Sequence, residues 1–197
     1  MSYKKIDLVV NGDEQIIELK KVAKQANSAV LFRQGDNVIL STLTYDSSEI
    51  IEEDFTPFVV QYIEKAYATG KIPAGFVKRE AKPGEFETLT ARIIDRSIRP
   101  LFPKGYGYNT VMTTMVLSTN GEADLQTCAM NASGLCIYLS DLPIEKLIYG
   151  VRITRIDGEF KINPTLSELE GGDFDMYVSG TQDELLMIEF KAQGQED

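Results

Sequence analysis

The sequence contains no histidine, and it has only two cysteines in 197 residues. The missing imidazole excludes a Ser-His-Asp triad, a Cys-His pair, histidine acid/base steps and every histidine metal site. Chemistry here must rest on carboxylates, lysine, arginine, tyrosine, serine, or a metal held by oxygen. Cys128 and Cys136 share one apolar segment. On a helix they stand about 12 Å apart along the axis, too far to be bridged to each other. They read as buried small hydrophobes in a reducing compartment. Long apolar runs are also missing, since none approaches the ~20 residues that span a bilayer. The start, Met1-Ser2-Tyr3-Lys4-Lys5, leads into a polar strand-like segment rather than an apolar signal core. A cytoplasmic protein with no membrane partner is expected.

What is present is ordinary in bulk, with 43% apolar and 25% charged residues. No linker, repeat or composition shift marks a domain boundary. Net charge is −10, which argues against a surface that binds nucleic acid all over. The distribution is uneven. Between Lys65 and Lys104 nine Lys or Arg face four acids, a local +5 that leaves −15 elsewhere. A basic island in an acidic chain is a directed anion site.

The first third reads as a β-meander, with strands at 6–10, 16–22, 29–34 and 38–44 separated by Asn11-Gly12 and Gly35-Asp36-Asn37. A further strand over 57–63 is entered through Pro57 at its edge. Gly70, Pro73, Gly75, Pro83 and Gly84 make 70–84 a loop. A helix opens at Thr88 with Leu89 and Ile93 inward, and Pro100 stops it. A buried-looking strand over 110–118 precedes a clear helix over 124–139, whose apolar residues recur at helical spacing. Two hairpins follow, 148–155 with 159–162 and 176–179 with 185–190, separated by a short helix capped by Thr165 and Glu168. The fold class is α+β with mixed sheets. The polar residues Gly194 to Asp197, directly after a strand, read as a cut inside a larger fold.

The chemistry concentrates in the island. The loop sequence from Lys71 to Glu80 offers glycines that admit an anion to the backbone, cations for phosphates, and Phe76, which can stack on a base. Its bland alternative is a solvated loop with Phe76 tucked into the core. Arg92, Arg96 and Arg99, spaced i, i+4 and i+7, share one helix face and suit a run of phosphates, each gripped in bidentate fashion. Their alternative is ion pairing with Asp95, Glu85 or Glu87. The acidic runs at Glu52-Glu53-Asp54 and at Asp173 and Asp175 read as solvated rather than metal-binding. Tyr62, Tyr67, Tyr106 and Tyr108 read as packing residues, with Tyr67 closest to the loop.

The stretch Gly70-Lys-Ile-Pro-Ala-Gly-Phe-Val-Lys-Arg-Glu-Ala-Lys-Pro, followed by Glu87-Thr-Leu-Thr-Ala-Arg-Ile-Ile-Asp-Arg-Ser-Ile-Arg-Pro-Leu-Phe-Pro103, closely resembles the first RNase PH-like domain of bacterial polynucleotide phosphorylases. The likeness extends over nearly the whole chain. It implies an RNase PH-like, ribosomal-protein-S5-like α+β fold over 1–197, ending before that domain's C-terminal helices. A second RNase PH-like copy and the KH and OB-type modules of such proteins lie outside the chain.

The implied activity is phosphate-dependent 3′-to-5′ degradation of RNA within mRNA turnover. Magnesium supports the attack of inorganic phosphate, and both act in the second copy, so no residue here is catalytic and none binds metal. The implied partners are single-stranded RNA, two further copies in a homotrimeric ring, and proteins of an RNA-degradation complex, with no DNA. RNA-contact positions carried over are Phe76, Lys78 and Arg79 in the loop through which RNA enters, with Lys82, Arg92, Arg96 and Arg99 beside it. Val77 replaces the family's second aromatic, Lys78 an arginine, and Ser97 a proline. Two other readings stand beside this one: a non-catalytic RNA-binding ring subunit, and an enzyme that holds a phosphorylated metabolite with the same arginines.

Overall fold

The computed structural model describes residues 3–10, 12–52, 55–73, 80 and 82–192. Strands β1 (Lys4–Val10), β2 (Asp13–Leu19), β3 (Ser28–Gln34) and β4 (Asn37–Ile50) form the expected meander, each antiparallel to the last. β4 runs six residues past the expected end, because its polar second half still pairs with β6 (Tyr108–Ser118). β5 (Phe58–Ile63) follows Pro57 directly, stands at the edge of the sheet and lies parallel to β6. The first sheet therefore has the order β1-β2-β3-β4-β6-β5.

The crossover from β5 to β6 carries α1 (Glu85–Ile98), which continues as a 3₁₀ turn over Arg99–Leu101. α1 begins three residues before Thr88. Its first turn is closed by the Glu87 carboxylate, which accepts from the Gly84 N–H at 2.6 Å. The buried face is Thr90, Ile93, Ile94, Ser97 and Ile98. Leu89 lies beside that stripe and is exposed, so only Ile93 of the expected pair faces inward.

α2 (Leu125–Tyr138) is capped by Asp124, whose carboxylate accepts from the Gln126 N–H. It is buried between the first sheet and a second one made of β7 (Tyr149–Ile156), β8 (Glu159–Ile162), β9 (Phe174–Gly180) and β10 (Leu185–Ala192), in the order β10-β9-β7-β8. A short α3 (Leu166–Glu170) with the Thr165–Glu168 capping box joins β8 to β9. Small residues let α2 come close. Ser133 reaches Thr114 at 2.7 Å, and Thr114 reaches Ser41 at 3.0 Å. A Cβ on Gly134 would meet the Ile148 carbonyl oxygen at 2.0 Å, so only glycine fits there. Cys128 and Cys136 are both buried free thiols on α2, and burial pushes them up to about 12 and about 11.

The second sheet is two-faced. Tyr177, Ser179, Gly150 and Thr154 point at the helices and are buried. Opposite them, Val151 and Ile188 flank Val178, and Met176 pairs with both Ile153 and Phe190. Phe174 meets Phe160 and Phe190 at ring-centroid distances of 6.3 and 5.6 Å. This outer face is apolar, and Phe160, Phe190 and Ile188 are 74%, 62% and 56% exposed.

Candidate nucleic-acid interface

α1 presents the basic island because its buried stripe fixes the helix roll. With Ile93, Ile94, Ser97 and Ile98 inward, the positions one step off that stripe turn to solvent. Arg92 and Arg96 are exposed there, about 6 Å apart along the axis. Among the described residues neither makes an ion pair or a side-chain hydrogen bond. The roll itself is held by the Ser97 hydroxyl against that of Ser179 on β9 at 2.6 Å, and by Gln126 on α2, which donates to Thr90 at 3.2 Å.

Between α1 and β5 runs an open groove of about 600 Å³. β5 from Phe58 to Ile63 forms its floor. Thr88, Ala91, Arg92, Asp95 and Arg99 form the helical wall, and Lys65, Glu80 and Pro83 close one end. That end is tied down by carboxylates. Glu87 accepts from the Glu64 N–H at 2.8 Å as well as from Gly84, joining the end of β5 to the start of α1. Glu80 accepts from the Ala66 N–H at 2.7 Å, while Lys65 donates to the Glu80 carbonyl at 2.5 Å. Glu64 sits beneath. Burial pushes its carboxyl above the usual glutamate range, a bond from the Tyr62 hydroxyl pulls it down, and the charge of Glu87 adds to the rise.

The third arginine is placed differently. Arg99 donates from Nε and Nη2 to both oxygens of Asp95 at 3.0 and 2.5 Å. It also donates from Nη1 to the Thr56 carbonyl at 2.7 Å and from Nη2 to the Phe58 carbonyl at 2.6 Å, and it lies 5.7 Å from the Phe58 ring centroid. The ion-pair alternative weighed from the sequence therefore holds for Arg99 and not for its two neighbours. The signal was visible: an aspartate four residues before an arginine is a favourable helix pair. The two carbonyls, far back in the chain, were not.

Lys82 is exposed beside the start of α1. Phe76, Lys78 and Arg79 lie outside the described residues, as does Val77. Of the tyrosines, Tyr62 and Tyr106 are buried, and burial pushes both hydroxyls up. Tyr67 is half exposed, its hydroxyl on the Met115 sulfur. Asp173 and Asp175 are paired to Arg155 and Arg152. Among the described residues no three carboxylates or thiols converge on a cation position. No described helix is long and apolar enough to cross a membrane.

An exposed pair of arginines with no side-chain partner among the described residues, beside a base-sized groove, suits the backbone of a flexible polyanion. Comparison with known proteins identifies the family. Residues 14–143 match the model of the 3′ exoribonuclease family, domain 1, and residues 146–196 match that of the same family's domain 2. The chain is 57% identical over 183 residues to the polyribonucleotide nucleotidyltransferase of Campylobacter concisus, covering 93% of this chain and 25% of that protein. It is 52% identical over 190 residues to that of a Nitratiruptor species, covering 96% and 26%. The chain thus spans about a quarter of the length of these relatives. In fold, it is similar to a chain of the Archaeoglobus fulgidus exosome with RNA bound to the active site. The TM-score is 0.66 at 15% identity, covering 100% of this chain and 79% of the other.

Proposed function

Since the chain belongs to the 3′ exoribonuclease family, we propose that it is the RNA-guiding part of a polyribonucleotide nucleotidyltransferase that degrades RNA from its 3′ end with phosphate. The observation that carries this reading is the pair Arg92 and Arg96 on the exposed face of α1, without ion-pair partners among the described residues, in a chain that is otherwise strongly acidic. Each guanidinium grips a phosphate, and the groove beside Arg92 leaves room for the chain to lie along β5. Phe76, Lys78 and Arg79 are carried over as further RNA contacts, and Lys82 adds positive charge beside the start of α1. Arg99 belongs to the same face.

Inorganic phosphate is the co-substrate. Magnesium and phosphate act at residues beyond this chain, while Asp124, Asp175, Glu87 and Glu80 within it are each held by an arginine or by backbone N–H groups. When bound there, the metal supplies charge neutralisation at the reacting phosphodiester. This chain contributes binding and orientation only.

The longer protein works in the cytoplasm on mRNA, as a homotrimeric ring and in company with other RNA-degrading proteins. Its further residues include a second RNase PH-like copy. The relatives' fourfold greater length supports this.

The test is binding of a labelled single-stranded oligouridylate by fluorescence anisotropy across a salt series. Arg92→Ala and Arg96→Ala should each weaken binding and each lower the salt slope by about 0.7, the value for one lost phosphate contact on a single strand. The chain alone should release no nucleoside diphosphate from RNA, phosphate and magnesium. Robust release would overturn the assignment of the chemistry to residues beyond it, and unchanged binding in both variants would overturn the RNA reading.

A further inference from the structure

Asp95 poses a question of charge. It stands on the wall of the groove one turn from Arg92, where a carboxylate repels phosphate, and 27% of its side chain is exposed. Both of its oxygens are turned to Arg99. Arg99 in turn spends Nη1 and Nη2 on the Thr56 and Phe58 carbonyls, at the free edge where β5 begins. The guanidinium rests beside the Phe58 ring, which is 3% exposed. Two hydrogen bonds thus join the end of α1 to the start of the edge strand, and two more to Asp95 hold the guanidinium in place. All four need the planar fork of arginine with its donors in fixed directions.

We propose that Asp95 and Arg99 are positioning residues for RNA, a clasp that sets α1 against β5 and so fixes where Arg92 stands on the groove wall. This rests on the RNA reading above. At the other end of the groove, Glu87 ties the end of β5 to the start of α1 in the same way. The helix is therefore pinned to the strand at both ends, and Arg92 lies between the pins. Arg99 acts on RNA through Arg92 and not by gripping a phosphate.

Three measurements on the same oligouridylate separate this from direct contact. A lysine keeps the charge but not the fork, so Arg99→Lys should weaken binding about fivefold, as much as Arg99→Ala. An Arg99 that itself grips a phosphate would keep one ionic contact as lysine. The salt slope would then fall by about 0.7 in Arg99→Ala and stay put in Arg99→Lys, whereas the clasp lowers it equally in both. Asp95→Ala and the milder Asp95→Asn should also weaken binding, although removing a negative charge near phosphate favours it electrostatically. Tighter binding by both would overturn the clasp. In an Arg92→Ala background, Arg99→Lys should add no further loss, whereas an independent contact would add its own.

Far-UV circular dichroism and a thermal melt identify any variant unfolded at the binding temperature. The asparagine variant then stands in for the alanine one. If Arg92→Ala and Arg96→Ala leave RNA affinity unchanged, the RNA reading itself fails. If they weaken it while Arg99→Lys binds like the parent, only the clasp fails.

Discussion

Asp124 and Arg152 meet at 3.0 Å, joining the cap of α2 to the second sheet across two stretches that match different family models. Arg152 also grips both oxygens of Asp175 on β9 at 2.6 and 2.8 Å. Burial alone would make its guanidinium easier to deprotonate, but the bonds and charges of Asp175 and Asp124 more than offset this and hold its proton more tightly than usual. With 15% of the Arg152 side chain and 5% of that of Asp124 exposed, the pair is largely out of water.

Arg152→Ala would strand the Asp124 carboxylate in that setting. It should lower unfolding stability by about 3 kcal/mol, the scale for breaking a buried pair. Arg155→Ala, which breaks a pair with Asp173 whose side chains are 48% and 52% exposed, should cost under about 1 kcal/mol. Urea denaturation midpoints of the two variants check the contrast.

Glu64 supplies a pH signature. Its carboxyl holds a proton more tightly in the folded chain than the ordinary glutamate value of 4.5, chiefly because of burial. Its contribution therefore favours folding in acid, and is lost as pH rises through the raised folded value. Glu64→Gln removes that dependence while keeping an oxygen for the Tyr62 hydroxyl. The melting temperature of the variant relative to the parent should be higher at pH 7 than at pH 4. A relative gain at pH 4 instead would contradict the assignment.

Gly134→Ala sets helix propensity against packing. Alanine favours an α-helix interior by up to about 1 kcal/mol over glycine. The Ile148 carbonyl blocks the added methyl at 2.0 Å, so α2 or β7 must shift. Net destabilisation of about 1–3 kcal/mol is expected from thermal or urea unfolding. A stabilised variant would show that the approach of α2 to Ile148 is looser than described.

Local signals carried much of the architecture. The 124–139 helix was readable from Asp124 and its apolar spacing, and α3 from Thr165 and Glu168. The hairpin at Asp157-Gly158 was readable because both residues take positive φ, 51° and 83°. The second half of β4 was not, since Tyr45-Asp-Ser-Ser-Glu49 has no alternation to mark a strand and gains order only from β6. The start of α1 was set too late because its cap is a carboxylate on a glycine N–H, without a Ser or Thr at the cap position. In the site, helical spacing put three arginines on one face. Asp95, four residues earlier, marked Arg99 as the paired one, but its long-range contacts to Thr56 and Phe58 had no local signal.

The parallel pairing of β5 with β6, where Phe58 meets Thr110, has a kinetic consequence. β1 to β4 zip as consecutive hairpins from local contacts, but β5 cannot join until the whole crossover carrying α1 has been laid down and β6 has docked on β4. Closing so long a loop is slow and comes late in folding. The arginine face is carried on that crossover. A chain still emerging from the ribosome, or one opened at this edge, therefore lacks the groove, and its affinity for RNA reports completed folding.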